Sequence, residues 1–392
     1  MESSSATHPT RASVRTSAVR VYGPAPVRRL RRILLAAFVF ALIPILFSYV
    51  STMMKPSNSS LGIRTVEWLR NHGAAQIVAD VETFYYSLNA PAKGGPQLKA
   101  LPKVGLGGSI AAAGKTVERP APIAPLTTTN PLPGEGVWRT TQHNESQTQP
   151  PLLVTTFRSD PAEYPRLVAG VAWINTHHTF ISLIPGREEP SVSIPSRGSM
   201  DVPLENRQKL LATFNSGFKL SDSRGGWGYL GHAYAPMQNG QAAFVRYTNG
   251  TYDVIAWEHG PTFPANVEFA RQNLPLIVYG GQPTANLANG SEWGATVGNA
   301  VRVWRSGLGI DANGNLIYAA ANDQTVQSLA QILIHAGAVR AMELDINSYW
   351  ISFNTYAAPG ALEPSKLVTE SERPATRYLE PDDRDFFAVY SR

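Results

Sequence analysis

An uninterrupted apolar run at residues 33–50 (ILLAAFVFALIPILFSYV) constrains this chain more than any other feature. The run holds eighteen residues without a charge, close to the roughly 20 that a helix needs to cross about 30 Å of hydrocarbon. Met53 and Met54 extend it. We therefore expect a transmembrane anchor at residues 33–54, with a short tail before it and a large domain after it.

Arginines beside the apolar run predict its orientation. Residues 1–32 contain seven Arg and one Glu, and four of these Arg lie at 28, 29, 31 and 32. An excess of Arg at one end of an anchor holds that end in the cytoplasm. The sequence thus predicts a single-pass membrane protein with a basic cytoplasmic tail at 1–32 and an extracytoplasmic main domain. A cleaved signal peptide is the alternative, although no small-x-small cleavage site follows the run.

The charge balance bears on the partners of the main domain. The whole chain carries +5, and the tail alone carries +6, so the remainder is close to neutral. A domain without a basic patch is not expected to bind nucleic acid. The chain has no cysteine, which excludes disulfides, thiolate zinc sites and a cysteine nucleophile.

Between the anchor and the main domain the sequence changes character twice. Residues 62–90 repeat apolar side chains at helical spacing, which predicts a juxtamembrane helix or helical hairpin, interpreted as a spacer. Residues 91–135 are rich in Pro and Gly, a composition typical of linkers. The main domain is predicted to occupy residues 136–392.

Strand patterns dominate the main domain. Asn249-Gly250 separates two apolar runs, a strong hairpin signal. Helices are predicted near 203–212 and at 323–336. These elements predict an α+β fold with a mixed or antiparallel sheet and few helices. The predicted strands are 152–157, 167–174, 178–184, 242–247, 252–257, 275–280 and 301–310.

The segment AVRAMELDINSYW at 338–350 holds the most informative polar residues. Its alternation predicts a strand whose one face carries Glu343, Asp345 and Asn347. Two carboxylates about 7 Å apart could divide acid and base duties or share a divalent cation such as Ca²⁺ or Mg²⁺, because each perturbs the pKa of the other. The alternative is an exposed polar face of a half-buried strand. A cofactor does not follow from the pattern alone.

Two further segments offer ligand-binding groups. In LLATFNSGFK, Gly217 permits a tight turn near a ligand, and Asn215 supplies a donor and acceptors; the alternative is an ordinary turn. Arg305 precedes small residues that would let an anion approach the backbone, and guanidinium suits two-point contact with phosphate. The alternative there is a solvated arginine on a strand.

These segments, in this order, resemble the phosphodiester glycosidase family. NSGFK at 215–219 is similar to the family's Asn-Gly-Gly-Phe-Phe turn, RSGLGI at 305–310 to its Arg-Ser/Thr-Ala-Ile-Gly strand, and AMELD at 341–345 to the start of its Ala-Leu-Asn-Leu-Asp segment. The likeness spans roughly 205–350. It implies Asp345 as a catalytic carboxylate and Arg305 and Asn215 as residues that hold and orient the substrate. From the pattern we add Glu343, which stands where the family has Asn, as the paired catalytic carboxylate, and Gly217, Ser306 and Asn347 as substrate-binding residues.

One departure from the family leaves the function open between two hypotheses. The family's glycine-rich stretch after the aspartate is replaced here by bulky residues at 346–350 (INSYW). The first hypothesis is a hydrolase of a sugar-phosphate diester or related cell-envelope glycan. The alternative is a non-catalytic glycan-binding or envelope scaffold domain on the same fold.

Overall fold

A computed structural model describes residues 25–106, 119–127, 130–143, 149–288, 292–294 and 302–392. The chain divides into two compact units, residues 1–55 and 56–392. Most of the predicted cytoplasmic tail, and parts of the predicted linker, lie outside the described residues.

The first unit contains one long helix, α1, at Ala25–Met54. Within it, Val27–Met54 is long and apolar enough to cross a membrane. Large apolar side chains such as Phe40 and Phe47 are more than 70% exposed. Membrane anchors and signal sequences share these properties, so the predicted anchor at 33–54 corresponds to a helix that suits either.

The second unit begins with a helical hairpin where the sequence predicts helix at 62–90. It consists of α2 at Leu61–Leu69, a π-helical turn at Arg70–Ala74 and α3 at Ala75–Leu88. The Ser60 side chain accepts a bond from the Ile63 amide at the start of α2, which satisfies a helix-terminal donor. Gly73 has a φ of 88°, a conformation that glycine adopts without strain. We call residues 61–88 the hairpin.

Strands form most of the remaining structure. Among the described residues they are accompanied by two short α-helices, α4 at Leu220–Ser223 and α5 at Val326–His335. The strands are β1 Arg139–Thr140, β2 Leu152–Arg158, β3 Val168–Ile174, β4 Thr179–Ile184, β5 Leu210–Asn215, β6 Trp227–Tyr229, β7 His232–Ala235, β8 Ala242–Tyr247, β9 Tyr252–Ala256, β10 Val267–Gln272, β11 Leu276–Tyr279, β12 Gln282–Pro283, β13 Val303–Ile310, β14 Leu316–Gln324, β15 Arg340–Glu343, β16 Phe353–Ala358, β17 Leu362–Lys366 and β18 Phe386–Ser391.

The strands build three sheets. An eight-stranded sheet has the order β1-β2-β3-β14-β13-β15-β11-β12, and two five-stranded sheets have the orders β7-β6-β10-β8-β9 and β17-β16-β5-β18-β4. Neighbouring strands in the described residues pair antiparallel, for example β13 with β14 and with β15. The predicted α+β class is confirmed.

The eight-stranded sheet packs on both faces. On one face Trp173 and Ala319 pack with Leu329 and Leu333 of α5. On the other face a larger core joins all three sheets and includes Phe214 of β5. Burial on both sides explains why β13 is buried along its whole length.

The predicted helix at 203–212 is wrong in its second half. Leu204–Lys209 forms a short 3-10 helix, but Leu210–Asn215 is strand β5. This strand lies between β16 and β18, so its backbone groups pair on both sides and all six of its residues are buried. A fully buried strand reads as a continuous apolar run, which periodicity does not separate from a helix.

The predicted strand at 338–350 is shorter than expected. Strand β15 ends at Glu343, and the chain continues as a loop through Asp345 and Asn347. The loop stays attached to β13, because the Leu344 amide donates to the Ser306 carbonyl and the Ser306 amide donates to the Asp345 carbonyl. Strict alternation of side chains therefore stops at Glu343.

Described parts of the predicted linker pack against the sheets. Val104 and Ile123 are each 4% exposed and belong to the two main cores. The Ile123 amide donates to the Gly136 carbonyl, and a Cβ at Gly136 would lie 1.8 Å from the Ile123 carbonyl oxygen. The compact unit accordingly starts at Pro56, well before the predicted boundary at 136.

Polar contacts fix the start of this unit. The hydroxyls of Ser57 and Ser59 donate to Asp383 at 2.5 and 2.6 Å, and the Asn58 amide donates to Asp382 at 2.9 Å. Asp382 is itself bonded to the buried Arg377. We call residues 57–59 the serine clip.

Candidate functional site

A pocket of about 150 Å³ lies between the hairpin and the sheets. We call it the site pocket. Arg70, Glu82 and Tyr86 of the hairpin form one wall. The opposite wall comes from three separate loops of the second unit, and its residues include Phe218, Lys219, Asp345, Ile346, Asn347, Trp350 and Arg384.

Asp345 is the predicted catalytic carboxylate that reaches this pocket. Its Oδ1 accepts a bond of 2.9 Å from the Asn347 amide, and its carbonyl oxygen accepts from both the amide and the hydroxyl of Ser306. Bonds on both sides of the residue fix its backbone and its carboxylate. Asn347 also lines the pocket, as its predicted role requires.

The environment of Asp345 favours the protonated form of its carboxyl group. The residue is only 5% exposed, and this burial raises the pKa of the carboxyl above its ordinary value. Arg384, the Asn347 and Ile346 amides and Arg377 oppose the shift. A carboxylate whose pKa moves toward neutrality is a stronger base than an exposed one.

Glu343 and Arg305 form a buried ion pair outside the site pocket. Both side chains are fully buried, and the Arg305 Nη1 donates to Glu343 Oε1. Burial outweighs the guanidinium and raises the pKa of Glu343 to about 7. The predicted contact of Arg305 with a substrate anion differs from this arrangement, because its guanidinium is already bonded to an internal carboxylate. The exposed polar face considered for Glu343 is likewise not found.

Asn215 and Ser306 lie beneath the pocket in one hydrogen-bond network. The Asn215 side chain donates to the Ser306 hydroxyl at 3.1 Å and accepts from the Tyr318 hydroxyl and the Ser352 amide. The Ser306 hydroxyl in turn donates to the Asp345 carbonyl at 2.9 Å. Because these groups are buried and bonded to each other, they position Asp345 and do not face the pocket.

Gly217 lets the backbone of its turn lie close to the side chain of Asn273. A Cβ at Gly217 would lie 2.8 Å from Cγ of Asn273. The Asn273 side chain accepts from the Phe218 amide and donates to the carbonyls of Glu343 and Leu344. It therefore ties the turn after β5 to the loop that carries Asp345. The sequence offered no local signal for Asn273, which lies just beyond β10.

Lys219 and Arg384 are two cations at the pocket that the sequence did not single out. Lys219 is the last residue of the segment LLATFNSGFK, which was selected for Asn215 and Gly217. Arg384 lies near the C-terminus, just before β18, and only the fold brings it here. The Arg384 guanidinium stacks 4.5 Å from the Trp350 ring centre.

The predicted cation site is not supported by a cluster of ligands. Among the described residues, no group of three or more His, Asp or Glu side chains is placed to hold a metal ion. Glu343, one of the two predicted ligands, already contacts Arg305, whose charge opposes a cation beside it. The Ca²⁺ or Mg²⁺ site stays a prediction.

Comparison with known families finds a similarity in the central part of the second unit. Residues 213–345 match the family model described as phosphodiester glycosidase. The match runs from β5 to Asp345 and includes Arg305 and Gly217. No curated protein matches the chain in sequence.

Three solved structures are similar to parts of this chain. A hypothetical protein from Synechocystis is 15% identical with a TM-score of 0.34, over 58% of this chain and 59% of that one. The catalytic domain of zebrafish N-acetylglucosamine-1-phosphodiester alpha-N-acetylglucosaminidase, auto-inhibited by pro-peptide, is 16% identical with a TM-score of 0.41, over 64% and 86%. A putative exported protein from Burkholderia pseudomallei K96243 is 10% identical with a TM-score of 0.26, over 57% and 74%.

Proposed function

We propose, from the premise that residues 213–345 carry a domain of the phosphodiester glycosidase family, that this protein hydrolyses a sugar-phosphate diester. The substrate would be a cell-envelope glycan or a related molecule in which a phosphate links a sugar C1 to another group. The bond cleaved is the one between C1 and the phosphate oxygen.

A single observation supports this proposal most strongly. Asp345, the last residue of the family match, is a buried carboxylate that opens into a pocket with Lys219 and Arg384 in its wall. A carboxylate beside two cations can act on an anionic substrate, because the cations offset its repulsion of the phosphate.

The chemistry assigns Asp345 the role of general base. A phosphate leaving group is weakly basic and departs with little need of a proton. The attacking water, however, must lose one. Asp345 takes that proton as the water oxygen bonds to C1, the C1–O bond breaks, and its electron pair leaves with the phosphate monoester. The raised pKa of Asp345 makes it a stronger acceptor of this proton.

The other predicted residues position Asp345 or contact the substrate. Ser306 and Asn215 hold the loop backbone, and the Arg305–Glu343 pair fixes β13 against β15. Asn347 and Trp350 line the pocket, where an amide can bond sugar hydroxyls and an aromatic ring can contact a sugar face.

The same proposal places the second unit outside the cytoplasmic membrane. Its support is the apolar helix at Val27–Met54 and the four arginines at 28, 29, 31 and 32, which favour a cytoplasmic N-terminus. Protease added to intact cells should then digest an epitope tag at the C-terminus and spare one at the N-terminus. Protection of the C-terminal tag would contradict this topology.

Sugar release from synthetic diesters tests the activity. The full-length chain should release free sugar from a panel of sugar 1-(methyl phosphates), and Asp345→Asn should lower kcat by about 10²–10⁴-fold because the general base is lost. Asp80→Asn is the matched control, since Asp80 is an exposed residue of α3 that accepts a bond from Gln76. Full activity in a folded Asp345→Asn variant would refute the assignment.

Binding without cleavage is the second candidate function. Ile346 and Trp350 line the pocket and belong to the bulky segment that replaces the family's glycine-rich stretch, and such side chains favour a pocket that holds a ligand rigidly. A diester that binds the wild-type chain and is never cleaved, with or without Ca²⁺ or Mg²⁺, would establish this function instead.

A further inference from the structure

Two buried cations converge on the site pocket from distant parts of the chain. Lys219 follows β5, and Arg384 precedes β18. Their side chains are only 11% and 10% exposed, yet both line the pocket. Burying a charge costs free energy unless an opposite charge compensates it. Two cations at one pocket thus imply an anion between them.

Arg384 has N–H donors that are available to such an anion. Its Nε and Nη1 are buried and have no hydrogen-bond partner among the described residues. A guanidinium presents five N–H donors in a planar fork that matches the oxygens of carboxylate and phosphate. Unsatisfied buried donors are costly, so a ligand with several oxygens would bind here favourably.

Glu67 of the hairpin contacts both cations. Its Oε1 accepts from Arg384 Nη2 at 3.1 Å, and its Oε2 is bonded to Lys219 Nζ. The Glu67 side chain is 14% exposed. A carboxylate spreads one negative charge over two oxygens, as does the phosphate of a diester through its two non-bridging oxygens. Glu67 therefore has the charge and the oxygen count of the group that the substrate would bring.

We propose that Lys219 and Arg384 bind the phosphate of the substrate diester, and that Glu67 occupies this phosphate position until the substrate displaces it. The proposal rests on the function proposed above, because it takes the diester as the ligand. It moves anion binding away from Arg305, which is paired with Glu343. The new residues are Lys219, which stands where the family's turn has Phe, and Arg384, which lies beyond the family match.

Replacement of Glu67 by the phosphate keeps an anion beside Lys219. Burial, and then Arg384, lower the pKa of Lys219 to about 7. An adjacent anion favours the charged ammonium. Lys219 thus faces one negative charge whether Glu67 or the phosphate lies against it, and Asp222 and Asp345 also favour its charged form.

Calorimetric binding of glucose 1-(methyl phosphate) tests the proposal. The measurements use the full-length chain in the Asp345→Asn background, so that the probe is not hydrolysed. Glu67→Gln should tighten binding about tenfold or more, because the internal competitor loses its charge. Lys219→Met should weaken binding by a similar factor, and Lys219→Arg should restore most of it. Asp80→Asn, a charge-neutralising change elsewhere on the hairpin, should leave the affinity within about twofold, near the scatter expected for an uncoupled site.

Each outcome decides the proposal. Unchanged affinity in Glu67→Gln would overturn the role of Glu67, and equal tightening in Asp80→Asn would show that only net charge matters. Unchanged affinity in folded Lys219→Met would overturn the phosphate site even if the wild-type chain cleaves diesters. Conversely, the expected affinity pattern without any cleavage would keep the phosphate site and refute the hydrolase.

Discussion

At the scale of single residues, Asp345 and Glu343 are two nearby acids in different surroundings: one lines the site pocket and the other is paired in the interior. Both carboxyls have raised pKa values, and in both cases burial is the main cause. Only Asp345 faces the site pocket; Glu343 is fully buried against Arg305. Proximity in sequence therefore does not make them a catalytic pair.

The role of Asp345 predicts a pH dependence of kcat/KM. A general base must be deprotonated, so activity should be present above the pKa of Asp345 and lost as the pH falls through it. Because burial raises this pKa, the acid limb should lie above the ordinary aspartate range near pH 4. Initial rates between pH 3 and about 8 measure the limb.

The control for this profile is a folding measurement at each pH. If kcat/KM stays constant down to about pH 4 in a chain that remains folded, Asp345 either has an ordinary pKa or is not the base. Loss of activity that follows loss of folded protein would also contradict the assignment.

The sequence located the polar residues of the site better than it assigned their roles. Asp345 and Asn347 line the site pocket, and Gly217 directly precedes Phe218 of its wall. That these residues bind or act on a ligand stays a prediction. Asn215, Ser306 and Arg305 lie below it, because β5 and β13 are interior strands with both faces covered. Arg384 could not be predicted as part of the site, since it is 39 residues beyond the end of the family match at 345.

At the scale of elements, the Arg305–Glu343 pair connects two central strands. Arg305 lies on β13 and Glu343 ends β15, and the pair is fully buried. Breaking one partner leaves an uncompensated charge in the interior. Arg340 on β15 and Asp253 on β9 form a second inter-strand pair, but their side chains are 33% and 25% exposed.

A double-mutant cycle separates these two pairs. Glu343→Gln should destabilise the protein by about 3–5 kcal/mol, because Arg305 cannot give up its charge. Adding Arg305→Met should recover part of that loss. The matched variant Asp253→Asn should cost at most about 1 kcal/mol, because water still reaches this partly exposed pair and screens it. Urea unfolding measures each free energy.

An additive cycle would contradict this interpretation. If Glu343→Gln and Arg305→Met destabilise independently, the two side chains do not depend on each other. A cost for Glu343→Gln no larger than that of Asp253→Asn would show that the buried charge finds another partner.

Element prediction succeeded where local pattern and burial agree. The strands near 152–157, 242–247 and 252–257 match β2, β8 and β9 within a residue. Each is an apolar run, and Asn249-Gly250 marks the turn between the last two. The helix at 203–212 failed because a buried central strand is apolar on both faces. The predicted strand at 338–350 is too long because the regular pairing of β15 ends at Glu343, although Ser306 of β13 still bonds Leu344 and Asp345.

At the scale of the whole molecule, the second unit extends far beyond the family match. The hairpin, the described parts of 91–135 and the sheets form one compact unit from Pro56 to Arg392. Pro and Gly in 91–135 suggested a detached linker, but Val104 and Ile123 are buried in the cores. Composition reports flexibility of a free chain and does not include such tertiary contacts.

Two truncations test the extent of this unit. Residues 56–392 should unfold cooperatively, with a urea midpoint that removal of 1–55 leaves unchanged. Residues 136–392 should have a lower midpoint and a smaller m-value, because the cores lose Val104 and Ile123 and less surface is buried. Circular dichroism and tryptophan fluorescence follow both transitions.

The comparison of the two fragments has a clear contrary result. Equal midpoints for 56–392 and 136–392 would make residues 56–135 an appendage. A separate early transition in 56–392 would show that the hairpin unfolds independently of the sheets.

The serine clip has a mechanical consequence. Three hydrogen bonds attach residues 57–59 to Asp382 and Asp383, and Glu67 lies only eight residues further along the chain. A pulling force applied ahead of Ser57 is borne first by these bonds and by the C-terminal segment that holds them. The serine clip should therefore transmit a force applied at the N-terminal side to Asp382 and Asp383, next to β18. While its bonds hold, such a force does not pull Glu67 away from Lys219 and Arg384.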